Sequence, residues 1–458
     1  MVRFHMYPAV SFPHAADSEV QEQVGVCLAC RKETLKLEKS VHMMLRGIPM
    51  KILVLAGGFD QIALINKLKS RGHEVLLADY YEDPPAKEYA DRHFQISTLD
   101  EAAVISVSQK EQVDLVTTAC TDQALLTAAR VSERLELPFY IDSVTAKHVT
   151  DKAYMKQIFR AHGIPTAAFK LVDKTAGMIC CTDGELDFPV IVKPCDCNSS
   201  KGVAKAENAV SLEQAVNSAL SWSRSRKAVI ESLLEGDELS VDVWIDRESV
   251  KILSISLTEK LGEPGTEFTI FRSSYPVNLS DTQRIRIQNA AEQIASAFHL
   301  QNCPMLMQAI MNGDTIHIIE FSVRMGGGTK YRLIKHASGI DIMDVYVNRI
   351  LGNTEQIIQP EQSRKHWEID YVYAHNGMYS QLVGFEELLK NGVICELYPY
   401  KKRGITITAR ATSSDRILGF LIQGDSCQEI ASLRKKIIET VDVRDSDGTS
   451  IMYKKCFM

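Results

Sequence analysis

Seven side chains spread over residues 151–328, Lys152, Lys193, Glu231, Glu238, Gln308, Glu320 and Arg324, mix cations with carboxylates and an amide inside stretches that otherwise read as buried strand or helix. A charge taken out of water needs a partner. Lys193 closes the apolar run from Phe188, Glu231 follows Val229 and Ile230, and Glu320 lies between Ile319 and Phe321. The chain must therefore bring these groups together across a polar cleft between lobes. No GxxxxGK[ST] occurs, so an anionic ligand would be gripped by side chains from several elements and not by one loop.

The flanking pattern supplies the lobes. Met50-Lys-Ile-Leu-Val-Leu-Ala-Gly-Gly58 reads as a buried strand ending in a glycine turn. Strand 51–56, helix 61–71, strand 75–79, strand 113–118, helix 122–135 and strand 138–142 then predict a parallel, Rossmann-like unit over residues 50–145. Gly57-Gly58 and Asp79 echo dinucleotide-binding chemistry, but GxGxxG is absent, and structural turn glycines are the simpler reading. Residues 1–49 carry no strand pattern and read as an extension, poorly ordered or helical over Ser18 to Leu45, with Met50 a candidate natural start.

Thr150 is the expected N-cap of a helix running to His162, with Tyr154, Ile158 and Ala161 on one face and Lys152 in its first turn. Residues 146–365 divide into a small lobe, about 165–235, and a large lobe, about 236–352. Strands 188–193 and 228–232 with a helix near 211–224 build the first, and the alternating strand from Leu239 to Ile245 leads into the second. Strands 368–374, 393–398 and 404–411, a helix at 427–440 and a last short strand predict a separate C-terminal α+β module over 366–458. The fold class is multidomain, α/β and α+β.

Composition narrows the partners. A net charge of −6 offers no bulk attraction to nucleic acid or an anionic membrane, and no apolar run approaches bilayer length, so a cytoplasmic chain with small-molecule partners is expected. Eleven cysteines, an odd and scattered set, suit a reducing compartment. Cys27-Leu-Ala-Cys30 is a lone CxxC, read as two thiols on a helix and not as a metal or redox site.

Three stretches carry the chemistry. Lys193 ends a strand and precedes Asp196 to Val203, a loop whose N–H groups and Ser199 and Ser200 hydroxyls can cover phosphate oxygens. In Val229-Ile-Glu231-Ser232-Leu233-Leu-Glu-Gly-Asp-Glu238, Glu231 or its adjacent carbonyl can accept from a purine amine, the Leu233 N–H can donate to the ring, and Glu238 can accept ribose hydroxyls. Gln308 and Glu320 flank Asn312-Gly313, a hairpin signal. A loop of odd length, Asn312 to Asp314, would pair Gln308 with Ile318 and leave Gln308 and Glu320 on one face, offset by two residues; a two-residue loop would put them on opposite faces. On one face they and Ser322 could hold one or two Mg²⁺ ions under phosphate oxygens. Arg324 can fork onto a carboxylate or phosphate beside Gly326-Gly-Gly328, and Lys330 and Arg332 are either substrate cations or solvated helix charges.

With IVKP, IESLLEGDELSVDV, the Gln308 to Glu320 spacing and EFSVRMGGG, residues 50–458 resemble the ATP-grasp superfamily, in particular its carboxylate-amine ligases of the L-amino-acid ligase and carbamoyl phosphate synthetase-like groups. The resemblance implies a two-lobed ATP-grasp domain between the Rossmann-like sheet and the C-terminal module. It implies ATP with Mg²⁺, or Mn²⁺ in its place. Lys152 and Lys193 would serve phosphates and adenine, Glu231, Ser232 and Leu233 adenine, and Glu238 ribose. Gln308, Glu320 and Ser322 would hold the metal, with Arg324 and Lys193 catalytic. Two departures stand out: DCNSSKGV has few glycines, and Ser322 takes the place of an Asn metal ligand.

The implied reaction activates a small carboxylate as an acyl phosphate and joins it to an amine, and a homodimer is the expected assembly. The rivals are a bicarbonate- or formate-activating enzyme of the same superfamily, a non-catalytic ATP-binding module, and an NAD(P)-dependent enzyme using the N-terminal unit.

Overall fold

The computed structural model describes residues 48–454 apart from 175–177, 182–185, 248, 263–264, 354–358 and 409–411. The 18–45 helix and the Cys27/Cys30 pair lie outside the described residues. Strands β1 (Lys51–Leu55), β2 (Glu74–Asp79), β3 (Arg92–Gln95) and β4 (Leu115–Thr117) pair in parallel in the order β3-β2-β1-β4, the expected Rossmann-like sheet. Its intervening helices are α1 (Asp60–Ser70), α2 (Glu101–Glu111) and α3 (Gln123–Arg134). Leu53, Leu55, Leu76 and Ala78 pack on Val104 of α2 and Ala124, Ala128 and Val131 of α3.

The dinucleotide echo dissolves here. Asp79 accepts from the Gly57 N–H at 2.5 Å and the Tyr81 N–H at 2.7 Å, and a Cβ on Gly57 would meet Pro84 at 2.6 Å, so both residues serve the turn. Residues 138–142, expected as a strand, form none. Pro138 lacks an N–H, the Tyr140 hydroxyl donates to the Val323 carbonyl at 2.8 Å, and Asp142 caps α4 (Ser143–His148) by accepting from the Thr145 N–H.

Helix α5 (Lys152–Ala161) is capped by Asp151, which accepts from the Ala153 and Tyr154 N–H groups; Thr150 instead turns its hydroxyl back onto the Ala146 carbonyl. Its buried face is Ala153, Met155, Lys156 and Phe159, not the Tyr154, Ile158 and Ala161 face, because Lys156 is drawn inward to an acidic partner. The small lobe is an antiparallel sheet of β5 (Phe169–Asp173), β6 (Met178–Cys181), β7 (Val190–Pro194), β8 (Ala204–Ala206) and β9 (Lys227–Ser232), ordered β6-β5-β9-β7-β8. Helix α6 (Ala209–Trp222) covers it through Ala215 and Ala219, against Val190, Val192, Ala228 and Ile230.

The large lobe starts with β10 (Asp237–Ile245), β11 (Val250–Lys260), β12 (Ile270–Tyr275), α7 (Asp281–Ala297), β13 (Cys303–Asn312), β14 (Thr315–Ser322), α8 (Lys330–Ser338) and α9 (Ile342–Ile350). Then come β15 (His366–Val372), β16 (Gly377–Met378), β17 (Gln381–Val383), α10 (Phe385–Lys390), β18 (Glu396–Pro399), β19 (Thr406–Ile407), β20 (Leu418–Gly424), α11 (Cys427–Thr440) and β21 (Asp442–Arg444). The expected separate C-terminal module is not separate. Its strands β15, β20 and β18 extend the large sheet, ordered β14-β13-β10-β11-β12-β15-β20-β18, since pairing β15 onto β12 satisfies an edge that would otherwise lie open. Among the described residues no helix is long and apolar enough to cross a membrane.

The β13–β14 hairpin departs from expectation twice, and the departures cancel. Its loop is the two-residue Gly313-Asp314, with Asn312 opposite Thr315 and Ala309 opposite Ile318. In a regular ladder Gln308 would then face Ile319, and Glu320 would point to the other side. A bulge between Gln308 and Ala309 on one strand and Ile318 and Glu320 on the other absorbs the extra residue Ile319, and Gln308 lies directly opposite Glu320. Strand β14 is the sheet edge, and Ile318 uses that edge: its N–H donates to the Pro165 carbonyl at 2.8 Å and its carbonyl accepts from the Thr166 hydroxyl at 2.7 Å. The segment leading into the small lobe is thereby pinned beside the bulge. Thr166→Val removes that hydroxyl, and with it both this bond and the one the hydroxyl accepts from Lys156 Nζ, and is expected to lower the free energy of unfolding by about 2–4 kcal/mol; urea denaturation measures it, and an unchanged midpoint would show that the two bonds contribute nothing.

Candidate functional site

Where the two lobes face each other, Lys152, Lys156, Lys193, Glu231, Glu238, Gln308 and Glu320 line a single cleft of about 150 Å³, with Ser199, Ser200, Ser232, Leu233 and Leu234. Of the seven side chains singled out first, all but Arg324 line this one cavity. Lys156 joins them and was missed, although it stands four residues from Lys152 on one helix face.

Glu231, on β9 and only 4% exposed, takes two lysines at once. Lys156 Nζ lies 2.6 Å from its carboxylate, and Lys193, from the neighbouring strand β7, pairs with its other oxygen. Burial opposes ionisation, but Lys156 and Lys193 overcome it and hold the Glu231 carboxyl at about 2. Burial pushes Lys156 down from the usual lysine value. One carboxylate against two ammonium groups leaves a positive surplus inside the cleft.

A second pair closes the other wall. Lys152 Nζ lies 2.8 Å from Glu320 and 2.8 Å from the Cys197 carbonyl. Burial works against both charges, yet the pairing wins: Glu320 is held below and Lys152 above its ordinary value. Glu320, Gln308, Ser240 and Ser256 face one another in register across β14, β13, β10 and β11, a polar row on one face of the large sheet. Glu238 is ion-paired with Lys260. Ser199, Ser200 and Gly202 all have positive φ, and the Ser200 hydroxyl donates to the Phe268 carbonyl at 2.9 Å. The Leu233 N–H is already engaged with the Pro189 carbonyl at 3.4 Å.

Arg324 is held from the N-terminal unit. Its Nε and Nη2 fork onto the two Asp122 oxygens at 2.9 and 2.5 Å, and Nη1 donates to the Met325 carbonyl. Asp122, overlooked in the sequence, sits just past β4, at the carboxyl end of a parallel strand, where such sheets place ligand-handling groups. Burial raises its carboxyl, but Arg324 outweighs this and keeps it low. The glycines beside Arg324 are clamped: Asp60 accepts from the Gly328 and Thr329 N–H groups, and the Tyr371 hydroxyl donates to the Gly328 carbonyl. Gly328 has φ +72° and a Cβ there would meet Arg416 at 2.6 Å, so only glycine fits. Lys330 is not a solvated helix charge: it is buried against Ser256, and burial lowers it to about 8. Arg332 turns away, onto Glu396 of β18.

Residues 186–331 match the ATP-grasp domain family. L-amino acid ligase from Bacillus licheniformis superposes with a TM-score of 0.71 at 19% identity, over 87% of this chain and 99% of that one. Biotin carboxylase from Campylobacter jejuni does so at 0.68 and 14%, over 90% and 95%. A D-alanine–D-alanine ligase of Magnetococcus marinus is 25% identical over 336 residues, 66% of this chain and 96% of that protein. An uncharacterised Sinorhizobium fredii protein and a formate-dependent phosphoribosylglycinamide formyltransferase of Actinobacillus pleuropneumoniae are 20% and 23% identical; this chain spans 67% and 64% of their lengths, about two thirds. Over residues 186–331 the chain is thus similar to ATP-grasp domains, and over most of its length it shares the fold of these solved structures.

The Glu231 cluster has a pH signature. Its folded value lies below the ordinary 4.5, so its stabilisation is complete above that value and is lost as pH falls toward about 2. Between pH 6 and pH 2 the wild type should lose about 3 kcal/mol more unfolding free energy than Glu231→Gln. Parallel pH profiles for the two proteins would contradict the assignment.

Proposed function

We propose that this chain is an ATP-dependent ligase that activates a small carboxylate and joins it to an amine. The observation that carries the reading is the direct opposition of Gln308 and Glu320 on the cleft-facing side, beside a lysine cluster with surplus positive charge. Lys152, Lys193 and the positive-φ loop around Ser199 and Ser200 would take the phosphates, and Glu238 the ribose. Because both Glu231 oxygens are held by lysines and the Leu233 N–H by Pro189, the adenine edge would meet main-chain groups near Ser232 and Leu234 instead.

Among the described residues no three His, Cys, Asp or Glu side chains cluster to hold a metal unaided. Gln308, Glu320 and Ser322 supply one carboxylate, one amide and one hydroxyl, the donor set of an Mg²⁺ site completed by phosphate oxygens. Mg²⁺, or Mn²⁺, would supply neutralisation of charge on the transferred phosphoryl group. Glu320 would exchange Lys152 for the metal, freeing that ammonium for phosphate. The substrate carboxylate would attack the γ-phosphorus, releasing ADP and forming an acyl phosphate; the amine would then form the C–N bond as the C–O bond to phosphate breaks. Arg324, fixed by Asp122, would neutralise the acyl phosphate, and closure of the small lobe would exclude water.

A bicarbonate- or formate-activating enzyme is the second reading, favoured by the likeness to biotin carboxylase and the formate-dependent formyltransferase. A screen of ADP release against amino acids, other small carboxylates, bicarbonate and formate, with and without amines, separates the two. The proposal extends to a cytoplasmic homodimer.

Glu320→Gln is expected to lower Mg²⁺-dependent ADP formation by about 10³-fold while circular dichroism stays native; a variant with full turnover would remove the metal role. Arg324→Lys, which cannot fork onto Asp122, should reduce kcat by about 10²-fold and leave the KM for ATP within a few-fold. Loss of nucleotide affinity alone would move Arg324 from the reacting group to ATP.

A further inference from the structure

The loop at 196–203 carries three left-handed backbone conformations within a short stretch: Ser199 at φ +57°, Ser200 at φ +59° and Gly202 at φ +71°. In residues other than glycine such conformations cost free energy, and they persist only where neighbouring structure fixes them. The loop therefore depends on an outside support. Residues 222–225, the end of α6 and the turn after it, supply one.

Contacts from that turn run along the loop. Asp196 Oδ2 accepts from the Ser225 N–H at 2.8 Å, and the Arg224 guanidinium lies 3.8 Å from the same oxygen and donates to the Asp196 carbonyl at 3.2 Å. The Cys197 thiol donates to the Trp222 carbonyl at 3.2 Å. Trp222 itself covers the far end: a Cβ on Gly202 would meet its Cδ1 at 2.8 Å and the Pro194 ring at 2.9 Å, so the glycine is seated against the indole and the proline that ends β7. Core packing does not explain this tryptophan. Helix α6 meets the small-lobe core through Ala215 and Ala219, and Trp222 is 45% exposed, against 3% for Trp244 and 8% for Trp367. Ser199 and Ser200 line the cleft, whereas Asp196, Gly202 and Trp222 do not. The support is applied from outside the cleft.

We infer that Trp222 is a positioning residue for the outer phosphates of the nucleotide: seated on Gly202, it keeps the Ser199–Gly202 segment in the shape whose N–H groups can meet phosphate oxygens, and it touches no ligand itself. The inference rests on the ATP reading of the cleft. Without the indole the strained segment gains other conformations, and the order it loses has to be restored when a ligand binds. That cost falls on the contacts the loop makes, so a triphosphate loses more affinity than a diphosphate. A tryptophan that only stabilised the small lobe would weaken both alike.

Calorimetric titration of the full chain with Mg-ADP and with the Mg complex of the β,γ-imido analogue of ATP tests this without turnover. Trp222→Ala, altered at an exposed position, should keep a native circular dichroism spectrum and bind the imido analogue about tenfold more weakly and Mg-ADP about threefold more weakly than the wild type. Trp222→Phe, which keeps an aromatic ring on Gly202, should stay within about threefold of the wild type for both. Wild-type affinities in Trp222→Ala, an equal loss for the two nucleotides, or a Trp222→Phe as weak as Trp222→Ala would each overturn the inference and leave the ATP reading intact. A wild type that binds neither nucleotide would sink the ATP reading, and the role of Trp222 with it.

Discussion

Glu231 and its two lysines hold the cleft together. Lys156 reaches it from α5, Lys193 from β7, and Glu231 itself stands on β9, so a single carboxylate ties a helix to two strands of the small lobe. Two lysines in so dry a place would repel each other and lose hydration without that carboxylate, and the carboxylate would ionise poorly without them. Lys156 also donates to the Thr166 hydroxyl, which in turn bonds the Ile318 carbonyl on β14. The cluster is thereby connected through two hydrogen bonds to the strand that carries Glu320. Lobe geometry and site electrostatics are one network.

The bulge in β14 is the second constraint. A two-residue turn followed by a regular ladder would have put Glu320 on the face away from Gln308, and one extra residue in β14 reverses that. Bulges free backbone groups, and here the freed edge at Ile318 is taken by Pro165 and Thr166. The third constraint comes from the N-terminal sheet, where Asp122 grips Arg324 in a bidentate fork and Asp60 grips the glycine segment that follows. An N-terminal unit that the sequence presents as a Rossmann-like sheet thus acts as a holder for Arg324 and the glycine segment of the large lobe.

What the sequence made legible was whatever depends on local periodicity. The parallel N-terminal strands, helix 427–440 and the apolar strands that deliver Lys193, Glu231 and Glu320 follow from runs of buried residues bounded by turns. Lys156 escaped because an amphipathic reading assigns a lysine to the solvent face, and only the acidic partner on β9, distant in sequence, reverses this. Asp122 escaped because a carboxylate at the start of a helix is ordinarily an N-cap; here it makes no capping bond and turns to Arg324. The merging of β15, β20 and β18 with the large sheet was hidden for the same reason, since strand partners across some 100 residues leave no trace in local pattern.

Pairing in the cleft also explains how it can tolerate so much buried charge before a nucleotide arrives. Each carboxylate facing it has a lysine: Glu231 has Lys156 and Lys193, Glu238 has Lys260, and Glu320 has Lys152. If a phosphate chain with its metal enters, as the ligase reading requires, these pairs can exchange partners without breaking to nothing. Glu320 passes to the metal, Lys152 and Lys193 pass to phosphate, and Lys156 remains to neutralise Glu231. The surplus cation of the resting site is then the charge that a polyanion matches, so binding removes an electrostatic penalty that folding had left in place. A site built of well-matched neutral pairs would lack that driving force, and one built of unpaired lysines would not fold.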